Sequence, residues 1–443
     1  MKLKIKKTVL FITISLILSC SVFGQSLPRK GFFGALIGDL TKSEANTLKV
    51  PDQSGTIIKQ VFKGTSANNA RFEENDVLIS IHNKVIKNTR HFLELLKHFN
   101  AEDKIKISYY RQRKLKTKFV VLQPKPKEIS NDYNIIYSSV RSGENHLRTI
   151  ITKPKGDGIY PAVLLIGGVG CYSIDKISHK KLLSTQMWVD SLTMRGFATL
   201  RVEKTGMGDS KGLPCKKSDF KTEKQGFLDG LRQLKSLPYV NPEQVFIAGF
   251  SMGGVIGPLI AQQEPVKGIL VYGTVGRNWF EYELENTHRQ QLLSGYPSDS
   301  INIRMRAEYK RLYGLFVEKK KPEEIMAQYP ETINTFFNYP MNIDYFQQVS
   351  DIDIGKLWMN TTANVLAMHG TADFVSSAAE HELIAKIVNR YHPNNATYIK
   401  VENADHWELY AKSEKISQQN KQTGLNPISV NTAINWILKV LSY

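Results

Sequence analysis

Apolar and polar side chains alternate with a period of two along five short stretches between residues 31 and 122. Such alternation, interrupted by turn-forming residues, is typical of half-buried strands. One stretch differs, since Phe92, Leu95, Leu96 and Phe99 share one face of a helical repeat over residues 89–98. The pattern predicts a small β-rich domain with strands at Gly34 to Leu40, Gly55 to Phe62, Asp76 to Ile81, Lys104 to Tyr110 and Thr117 to Leu122.

After a proline- and lysine-rich linker over residues 124–130, short apolar stretches alternate with longer stretches of helical periodicity. This alternation predicts an α/β domain with a mostly parallel sheet, so the two domains are placed at 31–123 and 131–443. The predicted strands are Tyr133 to Val140, His146 to Thr152, Ala162 to Ile166, Ala198 to Val202, Val245 to Ala248, Gly268 to Tyr272, Val365 to Met368 and Thr397 to Val401. The predicted helices lie around residues 186–194, 221–235, 252–262, 378–389 and 430–441.

One interval of the second domain, Gly276 to Lys356, breaks this alternation. It is rich in aromatic residues, has a helical pattern and contains no stretch that resembles a sheet strand. It is also too long to be a simple connection in a compact domain. We therefore predict a helical cap inserted over the sheet at residues 276–356.

The N-terminus has the order of a secretory signal, with four lysines followed by an unbroken apolar stretch from Thr8 to Leu18. Small residues follow, and cleavage after Gly24 would make residues 1–24 a signal peptide and Gln25 the first mature residue. An alternative is a lipoprotein signal that acylates Cys20, which would add peripheral membrane association. A membrane-anchored N-terminal helix is the third alternative. The chain is expected to be exported, either periplasmic or secreted.

Charge narrows the choice of partners. The formal net charge is +18, and residues 31–127 alone carry 18 Lys and Arg against 9 Asp and Glu. A basic excess suits nucleic acid, anionic lipid or acidic peptide partners, and it is also common on a surface that is merely solvated. Nucleic acid is not an expected partner of an exported protein.

The first domain carries four motifs in a characteristic order. They are Lys30-Gly31-Phe32-Phe33-Gly34-Ala35-Leu36, Gly55-Thr56-Ile57-Ile58, Gly64-Thr65-Ser66-Ala67 and Asn75-Asp76-Val77-Leu78-Ile79-Ser80-Ile81. Their order and spacing resemble a PDZ domain of bacterial periplasmic proteases. Asn75 stands where that family usually has glycine, and asparagine tolerates the left-handed backbone that glycine would adopt there.

The PDZ resemblance implies a binding mode. An extended peptide would add a strand beside Phe33, Gly34, Ala35 and Leu36, and loop amides would bind its terminal carboxylate. The alternative is a groove that is occluded, or that packs against the second domain and binds nothing.

A candidate nucleophile follows the apolar strand Val245 to Ala248, in the string Gly249-Phe250-Ser251-Met252-Gly253-Gly254. A sharp strand-to-helix turn of this kind exposes a serine hydroxyl, and flanking glycines avoid Cβ clashes. A serine needs a general base, and the base needs an acid that sets its tautomer. We predict Ser251 as nucleophile, Asp373 after the strand ending near Met368 as the acid, and His406 as the base.

Other residues compete for the acid and base roles. His369 lies upstream of Asp373 at a strand end, so a structural role is predicted for it. His381 falls within a helical pattern and His392 precedes a proline. Asp405 is the alternative acid, although a direct neighbour of His406 in the chain is poorly placed to reach its ring.

The oxyanion of an acyl-transfer intermediate needs backbone donors. We predict the amide of Met252 and, from the loop Gly167 to Cys171, the amide of Val169 or Gly170. The turn Glu203 to Ser210 resembles the Asp-x-x-Gly-x-Gly-x-Ser turn of α/β-hydrolases, with glutamate in place of the usual aspartate.

Together these residues resemble the α/β-hydrolase superfamily, nearest to exported esterases and the catalytic domains of prolyl-oligopeptidase-like peptidases. The resemblance implies a mostly parallel eight-stranded sheet with a helical cap. It also implies an acyl-enzyme on Ser251, no metal and no cofactor, and a small-molecule ester or peptide substrate. Carboxylic ester hydrolysis is favoured. The alternatives are a serine peptidase and a non-catalytic peptide-binding scaffold.

The usual strand order of that superfamily would make the strands before Cys171 and Cys215 neighbours. A Cys171–Cys215 disulfide is therefore predicted for an oxidising compartment, and two partly buried free thiols are the alternative.

Overall fold

The computed structural model describes residues 27–51, 54–175, 184–336 and 339–442. The signal peptide over residues 1–24, cleavage after Gly24 and acylation of Cys20 all lie outside these ranges. No helix in the four ranges is long and apolar enough to span a membrane.

The first domain is an antiparallel sheet with three short helices. Its strands are ordered β2-β3-β4-β6-β7, with β5 paired to β4. A separate pair, β1 with β8, joins the two ends of the domain. The strands are β1 (Gly31–Phe32), β2 (Ala35–Asp39), β3 (Thr56–Val61), β4 (Val77–Ile81), β5 (Lys84–Val85), β6 (Lys104–Arg111), β7 (Lys114–Val121) and β8 (Gln123–Pro124), and the helices are α1 (Lys42–Leu48), α2 (Ser66–Asn69) and α3 (Thr89–Leu96).

Helix α1 is absent from the sequence-based prediction. Ala45 is its one buried residue, so its sequence has no apolar period. The helix begins instead with a capping box, in which Thr41 and Glu44 each satisfy the other's backbone amide. Asn75 adopts a φ of 69°, which is the left-handed conformation expected there.

The second domain contains the predicted eight-stranded sheet, ordered β9-β10-β12-β11-β13-β14-β15-β16. Strand β10 is antiparallel to both β9 and β12, and the other neighbours are parallel. Its strands are β9 (Tyr133–Ser142), β10 (Asn145–Pro154), β11 (Tyr160–Ile166), β12 (Ala198–Val202), β13 (Val240–Phe250), β14 (Gly268–Tyr272), β15 (Asn364–Gly370) and β16 (Ala396–Val401).

Helices cover both faces of this sheet. Helices α5 (Phe220–Ser236), α6 (Gly253–Ala261) and α12 (Ala378–Tyr391) contribute to one apolar core, and α4 (Ser184–Met194) and α14 (Ile428–Leu441) contribute to the other. Because both faces are buried, the central strands have apolar centres, such as Val245 to Ala248 of β13. These centres could be predicted, but the ends of the strands could not always be.

Residues 276–356 lie between β14 and β15 and form the helical interval that we predicted. The helices are α7 (Trp279–Leu293), α8 (Ser298–Leu312), α9 (Pro322–Gln328), α10 (Ile343–Ser350) and α11 (Ile354–Met359). A π-helical turn covers Tyr313–Val317 and a 3-10 turn covers Pro330–Thr335. Apolar side chains of this cap, including Leu312, Phe316 and Phe346, join the core beneath it. After β16 come the short elements β17 (Leu409–Tyr410), α13 (Glu414–Gln418) and β18 (Thr423–Leu425).

Candidate active site

Ser251 lies in the sharp turn between β13 and α6. Its φ is 53°, a left-handed conformation that is uncommon for a residue with a side chain. The Ser251 amide donates to the Tyr272 carbonyl at 2.9 Å, which anchors the turn to the end of β14. Such a backbone costs on the order of 1–3 kcal/mol and persists only where its surroundings enforce it.

The glycines around Ser251 are required by close backbone packing. A Cβ at Gly249 would collide with the Gly253 carbonyl, and a Cβ at Gly253 would collide with the Ile166 carbonyl. Gly254 packs against the Thr274 side chain in the same way. The turn can therefore form only where these positions have no side chain.

Asp373 and His406 form a hydrogen-bonded pair. His406 Nδ1 lies 2.9 Å from Asp373 Oδ2, and the Asp373 side chain is fully buried. The other carboxylate contacts are the amides of Val375 and Ser376 and the hydroxyl of Ser376, at 2.8–2.9 Å. This geometry leaves Nε2 of His406 free to act as a base.

The electrostatics of the pair favour a charged carboxylate. Burial acts to raise the pKa of Asp373, but the charge and hydrogen bond of His406 hold that pKa well below its usual range. Burial likewise acts to lower the pKa of His406, but the Asp373 carboxylate raises it above its ordinary value of 6.5. An imidazolium formed during catalysis would thus be stabilised.

Tyr272 and Gly273 connect the serine to the histidine. Tyr272 accepts from the Ser251 amide through its carbonyl, and its hydroxyl donates to the Asp405 carbonyl at 2.6 Å. A Cβ at Gly273 would lie 3.0 Å from His406 Nδ1 and 3.1 Å from Asp373 Oδ2. The nucleophile turn and the histidine loop therefore meet at one short backbone segment.

Within the described residues, no hydrogen bond joins Ser251 Oγ to His406 Nε2. Catalytic hydrogen bonds are often long or poorly aligned until substrate is bound. Ser251 and the Asp373–His406 pair therefore lie in the same region of the described structure, but the serine hydroxyl is not hydrogen-bonded to the histidine.

The competing residues have other partners. Asp405 accepts from the amides of Trp407 and Leu409 and from the Ser417 hydroxyl, so its carboxylate closes its own turn. His369 is buried with Nε2 3.2 Å from the Ser376 carbonyl. His381 binds backbone groups, and burial lowers its pKa to about 3. His392 contacts the Met359 carbonyl.

The loop after β11 carries Val169 and Gly170, whose amides we predicted as oxyanion donors beside that of Met252. A Cβ at Gly168 would lie 3.1 Å from Ser251 Cβ, so this loop runs beside the nucleophile. Neither the Val169 amide nor the Met252 amide donates to an acceptor in the described part of the chain. Gly170 has a φ of 117°, which turns the chain away toward Pro340 of the cap.

Several side chains hold this oxyanion loop, residues 167–175. Cys171 and Cys215 form a disulfide, and the strands before them, β11 and β12, are neighbours. Glu203 accepts from the Ile174 amide and the Ser173 hydroxyl, both at 3.0 Å. Burial raises the pKa of Glu203 to about 7. Glutamate in place of the usual aspartate thus reaches the loop directly.

Comparison with known proteins adds two findings. Residues 37–122 match the PDZ domain family. Over 246 residues, 55% of this chain, the sequence is 23% identical to esterase EstD of Thermotoga maritima. The chain spans about half (53%) of that curated relative's length.

Two solved structures are also similar to this chain. Est1E of Butyrivibrio proteoclasticus with bound ferulic acid is 17% identical, with a TM-score of 0.44 over 70% of this chain and 100% of that one. A thermophilic esterase of Thermogutta terrifontis is 15% identical, with a TM-score of 0.40 over 69% of this chain and 99% of that one. The PDZ family match covers the first domain, and the strand order of the eight-stranded sheet is that of the α/β-hydrolase fold. The chain joins a PDZ domain to a domain of α/β-hydrolase fold.

The PDZ groove has an open strand edge. In the described part of the chain, β2 pairs with β3 alone. Leu36 on β2 and Leu93 on α3 are 51% and 47% exposed. The amides of Phe33 and Gly34 donate to no described acceptor. The Phe33 ring is buried between Phe72 and Phe92, so its side chain forms the groove's support and not its surface.

An ion network connects the PDZ domain to the α/β-hydrolase domain. Arg29, just before β1, bonds the buried carboxylates of Asp175 and Asp209 at 2.7 and 2.6 Å. Arg148 also pairs with Asp209, and Lys125 of the linker pairs with Asp175. Asp175 ends the oxyanion loop, so the junction and the candidate active site share a loop.

Sequence reasoning missed several residues of the site. Tyr272 and Lys204 were read only as parts of a strand and a turn, and Tyr172 was not considered. No local pattern distinguishes them, because their partners lie far away in the chain. Among the described residues, no cluster of three or more His, Cys, Asp or Glu is placed to hold a metal ion.

Proposed function

We propose that the chain is a serine hydrolase that cleaves carboxylic esters through an acyl-enzyme on Ser251. The observation that carries the proposal is Ser251, held at a φ of 53° beside the hydrogen-bonded His406–Asp373 pair. His406 takes the hydroxyl proton while Ser251 Oγ bonds to the substrate carbonyl carbon. It then returns the proton to the leaving alcohol, and water repeats the sequence on the acyl-enzyme.

An ester is favoured over a peptide substrate. The similarity to a Thermotoga maritima protein named as an esterase supports this choice. Exposed aromatic side chains, Trp407 beside His406 and Tyr172 within the oxyanion loop, offer an apolar rim. Such a rim suits an apolar acyl or alcohol group better than a charged peptide.

A fluorophosphonate probe tests the nucleophile. We expect the probe to label the wild type and Ser236→Ala, whose hydroxyl only bonds the Gln233 carbonyl, and not to label Ser251→Ala. Labelling that survives in Ser251→Ala would remove this serine from its role. Rates on p-nitrophenyl esters should exceed those on peptide p-nitroanilides. The reverse order would favour the peptidase, and no turnover or labelling at all would favour the scaffold.

We propose further that the PDZ domain binds peptide C-termini. The free amides of Phe33 and Gly34 support carboxylate binding, and the open edge of β2 supports strand addition. Fluorescence anisotropy with labelled peptides of random sequence should show binding that C-terminal amidation abolishes. Leu36→Glu should weaken it. Leu115→Glu, which is 60% exposed on β7, should leave it unchanged.

We also propose export of the mature chain, based on the signal-like residues 1–24. N-terminal mass spectrometry of protein secreted or released from the producing cell should find Gln25 first. A lipid-modified Cys20 would support the lipoprotein alternative.

A further inference from the structure

Lys204 is a buried lysine whose role the proposed reaction has not used. It lies just beyond β12, after Glu203, and its side chain is 5% exposed. Its ammonium pairs with Glu223 at 2.9 Å and donates to the Gly168 carbonyl at 2.8 Å. Burying an ammonium is costly unless it is paired and hydrogen-bonded, so this geometry is closely determined.

The Gly168 carbonyl has a second donor. The Tyr172 hydroxyl, four residues along the same loop, donates to it at 2.9 Å. The Tyr172 ring also lies 5.3 Å from the Lys204 ammonium. Both lone pairs of one carbonyl beside the nucleophile are therefore occupied by side chains.

Holding the Gly168 carbonyl in place also restricts the neighbouring hydrogen-bond donor, the N–H of Val169. The Gly168 C=O and the Val169 N–H belong to one planar trans peptide, in which the two groups point in opposite directions. Because Lys204 and Tyr172 hold the oxygen, the Val169 N–H on the same peptide cannot rotate freely. That N–H has no acceptor among the described residues.

We propose that Lys204 and Tyr172 are positioning residues for the oxyanion hole, acting through the Gly168–Val169 peptide. The inference rests on the proposed serine hydrolase. When Ser251 Oγ bonds to the carbonyl carbon, the π pair moves to the oxygen, and the prealigned Val169 N–H stabilises the new charge. The Lys204 ammonium also polarises the peptide and strengthens its N–H as a donor. Both effects act on the transition state more than on bound substrate.

Steady-state kinetics of full-length variants on a p-nitrophenyl ester test this. Tyr172→Phe removes one hydroxyl at an exposed position, and Lys204→Met removes the charged donor. We expect kcat to fall about tenfold in the first and about a hundredfold in the second, with KM within about twofold. Their affinity for a trifluoromethyl ketone, which forms a tetrahedral adduct, should fall in parallel with kcat.

The controls are matched in chemistry. Tyr160→Phe removes a hydroxyl that donates to the Gly156 carbonyl at the opposite end of β11. Lys235→Met removes an ammonium that bridges Glu264 and the Pro265 carbonyl. Neither should alter kcat. Because Lys204 and Tyr172 act on one carbonyl, the double variant should lose less than the product of the single losses.

Each outcome has a distinct meaning. An active wild type with kcat unchanged in folded Tyr172→Phe and Lys204→Met would overturn the inference and leave the proposed function standing. Equal losses in kcat and in substrate affinity would also overturn it, because they indicate a displaced binding surface. If Lys204→Met does not fold, Tyr172→Phe alone decides. A wild type that neither hydrolyses esters nor reacts with fluorophosphonate would refute the proposed function itself.

Discussion

The turn that carries Ser251 and the loop that carries Val169 face the same point in space but are built differently. The turn is held by backbone packing, since Gly249 and Gly253 leave no room for a Cβ. The oxyanion loop is held by side chains, among them the Cys171–Cys215 disulfide and Lys204. The nucleophile turn can therefore be recognised from a short motif, whereas the oxyanion loop depends on residues scattered along the chain.

The largest expected effect on kcat comes from a residue outside both regions, Asp373. The effects of changes in the two regions can be compared with it. Asp373→Asn should lower kcat by about 10³–10⁴-fold, because the neutral amide neither fixes the His406 tautomer nor stabilises the imidazolium. Steady-state rates on a p-nitrophenyl ester measure this. A loss below about tenfold would mean that the pair in the structure is not the catalytic acid and base. Asp229→Asn, whose carboxylate accepts from Gln225 and Arg232 on its own helix α5, is the matched control.

Removing the disulfide should show how much this bridge in the oxyanion loop contributes to the stability of the folded protein. The double variant Cys171→Ser/Cys215→Ser should lose about 2–4 kcal/mol of unfolding free energy, since the bridge closes a long loop with a sequence separation of 44. Urea denaturation measures this free energy. An unchanged midpoint would show that Lys204 and Glu203 suffice to hold the loop.

A substitution in the nucleophile turn should act through the backbone. In Gly253→Ala the new methyl group would collide with the Ile166 carbonyl, and we expect about 1–3 kcal/mol of destabilisation with kcat reduced as well. Thermal unfolding and steady-state kinetics measure the two effects. Gly424→Ala, where a Cβ meets nothing within 4 Å, is the control. A stable, fully active Gly253→Ala would contradict the steric account of the turn.

The smallest effect concerns pH. His406 accepts a proton only when neutral, and Asp373 raises the pKa of His406, so the acid limb of kcat/KM should lie above the ordinary value of 6.5. Below that limb the rate should fall about tenfold per pH unit. The Cys171→Ser/Cys215→Ser variant should keep the limb in place, because its changes do not touch the histidine. A limb at or below 6.5 in the wild type would refute this electrostatic environment.

The eight strands of the second domain's sheet could be predicted, although not all of their ends. Ala198–Val202 and Gly268–Tyr272 have the predicted bounds, whereas β13 begins at Val240 and not at the predicted Val245. The hydrogen-bonded pair of Asp373 and His406 joins two residues that the sequence also placed together, since each follows a strand, and their catalytic role with Ser251 remains a prediction. The structure adds the lengths of the strands that extend beyond their apolar centres, such as β13.

Other features were not predictable in physical terms. Helix α1 depends on a capping box and has almost no apolar face. The partners of Lys204 lie 36 residues before it in the case of Gly168, and Arg29 bonds Asp209 across 180 residues. The spacing of apolar residues in the sequence gives no information about such contacts, because they arise only when distant loops meet at one edge of the sheet.

The pairing of β1 with β8 places the entry and exit of the PDZ domain side by side, and Arg29 Nε donates to the Lys125 carbonyl across that gap at 2.9 Å. Arg29 and Lys125, which neutralise Asp175, both lie outside the 31–123 segment. A chain that lacked residues 31–123, with its flanking segments joined across that gap, would therefore keep both cations that pair with the buried Asp175.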